Sequence, residues 1–362
     1  MERVLIVNVG LKGHSLIELK EVQEELKGLV ETAGGEVVET IHQFRDRLNG
    51  ATLIGKGKLN EIKPIILERE IDLVVFDNKL SPTQLRNIEA VLDCRVIDRI
   101  QLILDIFARH ATTKEGKLQI ELAQLEYLLP RILGMGKEMS RLGGGIGTRG
   151  PGETKLEVSR RTIRQRIFLL KKQLIRIKKQ REIRRKRRLN ANTSIVSIIG
   201  YTNSGKTTLL KSLSKDEKIK PKDELFATLS PVSRKVYLGN NKQAVFNDTV
   251  GFIRNLPHNI IESFKATLEE ITFSDLIIHV IDCSESNWKE KMSSADVVLK
   301  SISAMDIPKI RVLNKIDLLT DEEIELLRVS HPDYRLISSA KKSGLDELKM
   351  EILNFFEEKA IQ

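Results

Sequence analysis

Apolar and polar positions recur along this chain in three rhythms, and each rhythm marks a different region. Up to about residue 110, short apolar runs alternate with longer stretches of helical spacing. The runs are Val4–Val9, Glu36–Ile41, Asp72–Asp77 and Arg95–Ile97. Between and after them lie Leu16–Thr32, Lys58–Glu70, a segment opening at Ser81-Pro82-Thr83-Gln84, and Arg99–His110. An uninterrupted run such as Leu73-Val74-Val75-Phe76 suits a strand covered on both faces. Ser81 is placed to cap a helix, with Pro82 at its first position and Gln84 closing a capping box. The alternation predicts a small parallel-sheet α/β subdomain over 1–110.

From 111 to 192 the rhythm changes to steps of four and three. Leu118, Leu122, Leu125, Leu129 and Ile132 form one series, and Ile163, Ile167, Leu170, Leu174 and Ile177 the other. Such steps make the a/d seam of a coiled coil, so the two segments predict an antiparallel helical hairpin. Thr112 and Glu115 have the spacing to start the first helix, and Pro130 is predicted to kink or end it. The second helix is predicted over Glu157–Arg188, roughly 45–50 Å at 1.5 Å per residue. The connection between them, residues 134–158, is rich in glycine from Gly143 to Gly152. A third region, 193–362, begins after the polar linker Asn190–Ser194 and again alternates strands with helices, including Ala244–Phe246, Lys309–Leu313 and a last helix, Leu345–Glu358.

Charge changes the picture of the middle region. The whole chain carries +10, with pI ≈ 9.4. Arg160–Arg188 alone holds fifteen Lys and Arg against one acid, Glu182, so the remainder is slightly acidic. A localised stripe of one sign is the footprint of a polyanion-binding element, and an outer face that is merely solvated normally mixes signs. The charge does not choose RNA over DNA; with RNA as the polyanion, the expected contacts are Gly144, Gly145, Arg149, Gly150 and Lys155 at the tip, then Arg160, Arg161 and Arg164. The glycines allow close approach to a nucleic-acid backbone and the cations bind its phosphates. A short stretch, Gly55-Lys56-Gly57-Lys58, reads either as a further phosphate contact or as a solvated turn before a helix. No apolar run is long enough to span a membrane, and the start of the chain lacks a signal-peptide pattern. The lone Cys94 and Cys283 fit reduced thiols, so a cytoplasmic location is expected.

The third region carries the chemistry. Gly200-Tyr201-Thr202-Asn203-Ser204-Gly205-Lys206-Thr207 follows an apolar run, Ile195–Ile199, and precedes a helical one. This is the phosphate-binding loop of a nucleoside triphosphatase. Lys206 is expected to reach the β- and γ-phosphates, and Thr207 to bind Mg²⁺. Phe226-Ala227-Thr228-Leu229-Ser230 lies where a switch orders round the triphosphate, with the Thr228 hydroxyl on Mg²⁺. Asp248-Thr249-Val250-Gly251 would hold Mg²⁺ through water at Asp248 and meet the γ-phosphate at the Gly251 amide. Asn314-Lys315-Ile316-Asp317 selects the base. Asp317 can accept two hydrogen bonds from guanine, and adenine offers neither donor. Ser338-Ser339-Ala340 follows the last strand, and the Ala340 amide can bond guanine O6. Lys206, Thr228 and Gly251 are the expected catalytic groups. Phe252 stands where small GTPases of similar sequence carry a water-orienting glutamine, which predicts slow hydrolysis stimulated by a partner.

These segments, with Leu53-Ile54-Gly55-Lys56-Gly57-Lys58, Asp105-Ile106-Phe107-Ala108, Glu115-Gly116-Lys117-Leu118-Gln119 and Glu153-Thr154-Lys155, resemble HflX-type GTPases over nearly the full chain. The resemblance implies a ribosome-associated translational GTPase with Mg²⁺ as cofactor and GTP or GDP as ligand. It implies binding to the large subunit and its ribosomal RNA, a hairpin tip near the peptidyl transferase centre, and splitting or rescue of stalled ribosomes under stress. Contacts of the further C-terminal domain of some relatives are not expected, because the chain stops soon after Glu358. A monomer is expected. The alternative is a regulatory switch that engages protein effectors through the coiled coil.

Overall fold

The structure is a computed structural model and describes residues 1–11, 16–139, 151–189, 194–216, 226, 232–253 and 271–361. The side chains of 16–19, 133–139, 151–156, 181–189 and 360–361 lie outside that description. By compactness the chain forms two units, Met1–Arg109 with Leu118–Leu174, and His110–Lys117 with Ile175–Gln362.

The first unit is built on β1 (Glu2–Leu11), β2 (Gly35–Arg45), β3 (Leu73–Phe76) and β4 (Arg95–Asp98), all parallel, in the order β2-β1-β3-β4. Helices α1 (Leu16–Thr32), α2 (Lys56–Glu68), α3 (Pro82–Leu92) and α4 (Arg99–His110) alternate with the strands. The four residues of β3 are all buried, as a strand covered on both faces must be. The Ser81 capping box is present, its hydroxyl accepting from Gln84 N at 3.2 Å. Two boundaries differ from expectation. β2 runs four residues past Ile41, because it pairs with the whole of β1. α2 begins at Lys56 and ends at Glu68, since Gly55 is its extended N-cap. Lys56-Gly57-Lys58 is therefore the first turn of a helix rather than a turn before one, and Lys58 pairs with Glu61.

α5 (Lys114–Met139) and α6 (Pro151–Leu189) form the helical middle region. Along α6 the seam positions Ile163, Ile167, Leu170, Leu174 and Ile177 are shielded while most of their neighbours are exposed. Leu118 and Leu122 are buried on α5, and Arg166–Glu121 (2.6 Å) and Lys171–Glu126 (2.7 Å) tie the two helices. Two expectations are corrected, and at the start of α5 the Thr113 hydroxyl accepts from Gly116 N at 3.1 Å. Pro130 neither ends nor interrupts α5, which continues to Met139. Next to it, Arg131 lies over the Tyr127 ring, donates to Tyr127 O at 3.0 Å and pairs with the buried Asp98 at 3.0 Å, which fixes that turn against the sheet. α6 starts at Pro151, six residues before Glu157, with proline at a position whose missing N–H costs nothing. The helix-connecting segment is thus shorter than 134–158, and its core, 140–150, lies outside the described residues.

The second unit carries a six-stranded sheet in the order β10-β9-β8-β5-β7-β6. Its strands are β5 (Ser194–Gly200), β6 (Val232–Gly239), β7 (Lys242–Asp248), β8 (Leu276–Asp282), β9 (Lys309–Asn314) and β10 (Arg335–Leu336). Among the described strands of this sheet, only the edge pair β6 and β7 is antiparallel. Helices α7 (Lys206–Ser214), α8 (Trp288–Ser301), α9 (Asp321–Ser330) and α10 (Leu345–Ile361) complete it. One core lies between Val196, Ile198, Phe246, Ile278 and Val280 of the sheet, Leu209 and Leu213 of α7, and Leu348 and Ile352 of α10. No helix among the described residues is long and apolar enough to cross a membrane.

Leu170 is fully buried on α6, whereas Phe168 is exposed. Leu170→Ala should cost about 2–5 kcal/mol of stability in urea unfolding, and Phe168→Ala about 0.5 kcal/mol or less. Equal losses from the two would show that the seam does not hold the helix.

Candidate functional site

The sequence-predicted residues of the second unit meet at one edge of its sheet. Gly200 ends β5, Asp248 ends β7, Asn314 ends β9, and Ser338 follows β10. In an open parallel sheet the carboxyl ends of the strands form the ligand crevice.

The loop Gly200–Thr207 joins β5 to α7, so the first amides of that helix face the crevice with the positive end of its dipole. Gly205 has φ +92, and a Cβ there would collide with the side-chain amide of Asn314. Tyr201, Thr202, Ser204 and Lys206 are buried, and Asn203 stands exposed at the crest in a left-handed conformation. Lys206 Nζ donates to Tyr201 O at 2.6 Å, closing the loop on itself. Burial pushes the Lys206 ammonium down to about 8, opposed in part by the Asp248 carboxylate.

Thr207 Oγ1 donates to Asp248 Oδ2 at 2.8 Å, which brings together two of the three residues expected at Mg²⁺. A hydroxyl and a carboxylate are hard oxygen donors of the kind that cation takes, so the pair fits it. Thr249 Oγ1 donates to Ile198 O at 2.8 Å and Val250 is buried, anchoring the segment to β5. Gly251 lies so close to the loop that a Cβ would stand 2.9 Å from Thr202 Cα and 3.0 Å from Lys206 Nζ. Phe252 is buried, its N–H donating to Gly200 O (3.0 Å) and its carbonyl accepting from Thr202 N (2.8 Å). Its ring cannot orient water, and its backbone acts as a strap across the phosphate loop. Phe226 is buried with φ 60, and Ala227, Thr228, Leu229 and Ser230 lie outside the described residues.

The segment Asn314–Asp317 is cross-braced. Asn314 is buried, its Nδ2 donating to Ser204 O (2.8 Å) and its Oδ1 accepting from Ser339 N (2.9 Å). Ile316 N donates to Ile337 O at 3.3 Å. Asp317 and Ala340 are exposed at the rim, where a base can reach them. Asp317 accepts from the Ser338 hydroxyl, which itself accepts from Lys341 N at 3.0 Å. Lys315 is the one member with an unexpected neighbour, since its ammonium pairs with Asp282 at 2.7 Å. Sequence reasoning missed Asp282. Its only signal was an acid at the end of the apolar run Leu276–Ile281, and no local motif pointed to it.

Of the residues expected to contact RNA, Arg161 and Arg164 are exposed on α6 and Arg160 is half-buried. Lys155 lies in α6 with its side chain outside the described set, and Gly144, Gly145, Arg149 and Gly150 fall outside it entirely.

Three protein-family profiles match in sequence order: "GTP-binding GTPase N-terminal" over residues 20–108, "GTP-binding GTPase Middle Region" over 110–188, and "50S ribosome-binding GTPase" over 195–315. A curated relative named "GTPase HflX" from Caldanaerobacter subterraneus subsp. tengcongensis is 47% identical over 331 residues, 91% of this chain and 76% of the relative. The Escherichia coli protein of the same name is 42% identical over 327 residues, 90% and 76%. Among solved structures, a GTP-binding protein from Sulfolobus solfataricus in complex with GDP is 30% identical, with TM-score 0.51 over 98% of each chain. A structure described as SsGBP in complex with GDP gives TM-score 0.54 at 30% identity, also over 98% of each.

A phosphate chain seated in this loop would restore the full charge of Lys206. Above pH 8 the free site has lost part of that proton, so nucleotide binding there should take up protons and weaken as pH rises. Calorimetry of GDP binding in buffers of different ionisation enthalpy reads the uptake. A binding enthalpy independent of buffer above pH 8 would show that Lys206 stays charged in the free loop.

Proposed function

The chain belongs to the HflX family of GTPases, and on that premise we propose that it is a GTP-driven factor of the large ribosomal subunit. It dissociates or rescues stalled ribosomes under stress, and its nucleotide state governs engagement of the basic helical region with ribosomal RNA. The observation that carries this reading is the convergence of Lys206, the Thr207–Asp248 pair, Gly251 and the braced Asn314 at one sheet edge. The basic run of α6, Arg160–Arg188, supplies a surface for RNA phosphates.

In the proposed cycle Asp317 takes guanine N1–H and the 2-amino group, while Ala340 N meets O6. Lys206 and the amides of Gly205–Thr207 hold the phosphates. Thr207, Asp248 and Thr228 would hold Mg²⁺, which supplies charge neutralisation on the β- and γ-phosphates. Gly251 rests against Thr202 and Lys206, which supports the reading that its N–H meets the γ-phosphate and that loss of that phosphate would free the strap formed by Phe252. Phe252 leaves the attacking water without a side-chain partner from this position, so hydrolysis is slow until the ribosome orders the site.

Purified protein should cosediment with large subunits more strongly with a non-hydrolysable GTP analogue than with GDP. A variant lacking Gly134–Val158 should lose that difference. Affinity should fall with salt by about 0.7–0.9 per phosphate contact on a log–log plot, which a protein–protein coiled-coil contact would not show. Turnover of GTP should rise on adding large subunits, and Lys206→Ala should abolish it. Fast turnover that no ribosomal particle changes, or nucleotide-independent cosedimentation, would overturn the proposal.

A further inference from the structure

A half-buried ion pair joins the segment Asn314–Asp317 to the end of β8. Asp282, at the end of β8, is 7% exposed, and both of its oxygens are engaged. Oδ2 accepts from Lys315 Nζ at 2.7 Å. Oδ1 accepts from the Ser284 hydroxyl at 2.6 Å and from Ser284 N at 3.1 Å. The carboxylate is thus held by the turn that follows β8, and it presents one fixed oxygen to β9's loop. The adjacent Cys283 donates its Sγ proton to Asn314 O at 3.1 Å. Its thiol is pushed up to about 12 by burial and then by Asp282, so it carries no charge that competes for Lys315.

Lys315 needs such a stay. Its backbone is left-handed, φ 69 and ψ 30, a region a lysine enters only at a cost. The side chain of a lysine also loses more rotamer freedom than most when fixed. Free in solvent, it would sample many conformers. Paired with Asp282 it is restrained, its ammonium held at the end of β8.

From this geometry we infer that Asp282 is a positioning residue for guanine-nucleotide binding, acting through Lys315. It fixes the lysine stem as one wall of the base site and holds the left-handed turn that precedes Asp317. Ser284 orients the carboxylate. The inference rests on the assignment of Asn314–Asp317 to the base.

The test is a double-mutant cycle on the full chain, read by the affinity and release rate of fluorescent GDP. Asp282→Asn keeps the shape and removes the charge, and it should weaken GDP about tenfold, the size of one charge-assisted hydrogen bond, through faster release. Turnover at saturating GTP should change by about twofold or less, because the pair does not touch the phosphates. Lys315→Met, which keeps a stem without the ammonium, should weaken GDP similarly. Asp282→Asn added to Lys315→Met should then do nothing more. Ser284→Ala leaves both charges in place and should weaken GDP by a smaller factor, so it reports on the same chain of contacts if Asp282→Asn folds poorly. Additive effects, unchanged GDP affinity in folded Asp282→Asn and Ser284→Ala, or a loss confined to turnover would each overturn the inference. Asp317→Asn separates the premise, since an amide there should trade guanine for xanthine nucleotides. If that variant keeps its guanine preference, the base assignment fails. If it switches while Asp282→Asn binds as the parent does, only the role of Asp282 falls.

Discussion

The side-chain amide of Asn314 is the tie on which the nucleotide site depends. It donates to Ser204 O in the phosphate loop and accepts from Ser339 N in the loop after β10, so one buried residue joins three loops. Loops have little packing of their own, and their relative placement comes from such crossings. Losing the amide would leave a buried carbonyl and a buried N–H unpaired, at about 1–3 kcal/mol each. The close approach of the amide requires glycine at 205, so the loop's composition and the tie are one constraint.

A second constraint is electrostatic. Lys206 is buried with the negative end of Tyr201's peptide as its partner and with Asp248 nearby. Its charge is expensive there until phosphates arrive, which makes the loop receptive to an anion. Gly251 rests against Thr202 and Lys206, and Phe252 pairs its backbone with Gly200 and Thr202. The segment that would sense the γ-phosphate is therefore mechanically joined to the loop that would bind it.

The first unit shows the same use of buried charge for placement. Arg99 pairs with Glu25 at 2.8 Å and with Asp77 at 2.7 Å, locking α4 to α1 and to the end of β3. Arg131 reaches Asp98 at 3.0 Å and Leu80 O at 3.2 Å, holding α5 on the sheet. Pairs of this kind add little net stability, but breaking one leaves an uncompensated buried charge, so they enforce a single arrangement.

What the sequence alone determined is what short-range chemistry encodes. The four strands of the first sheet, β5, β6, β7 and β9 of the second, the Ser81 cap, the seam of α6 and the motifs Gly200–Thr207, Asp248–Gly251, Asn314–Asp317 and Ser338–Ala340 could be read because each depends on residues within one or two turns of one another, whereas β8 was not read. Pro130 lies inside α5 rather than ending it, and the neighbouring Arg131 finds its partners far along the chain, at Asp98 and Leu80. The start of α6 misled because the glycines before it suggested a longer loop. Only the tertiary structure decided that Asn314 braces Ser204, 110 residues away in the chain. The same holds for the pairing of Phe252 with the phosphate loop and of Asp282 with Lys315. These contacts follow from strand order, β10-β9-β8-β5-β7-β6, which sets distant strand ends side by side. A motif names the groups that can do the chemistry, but their spacing in space is a property of the sheet.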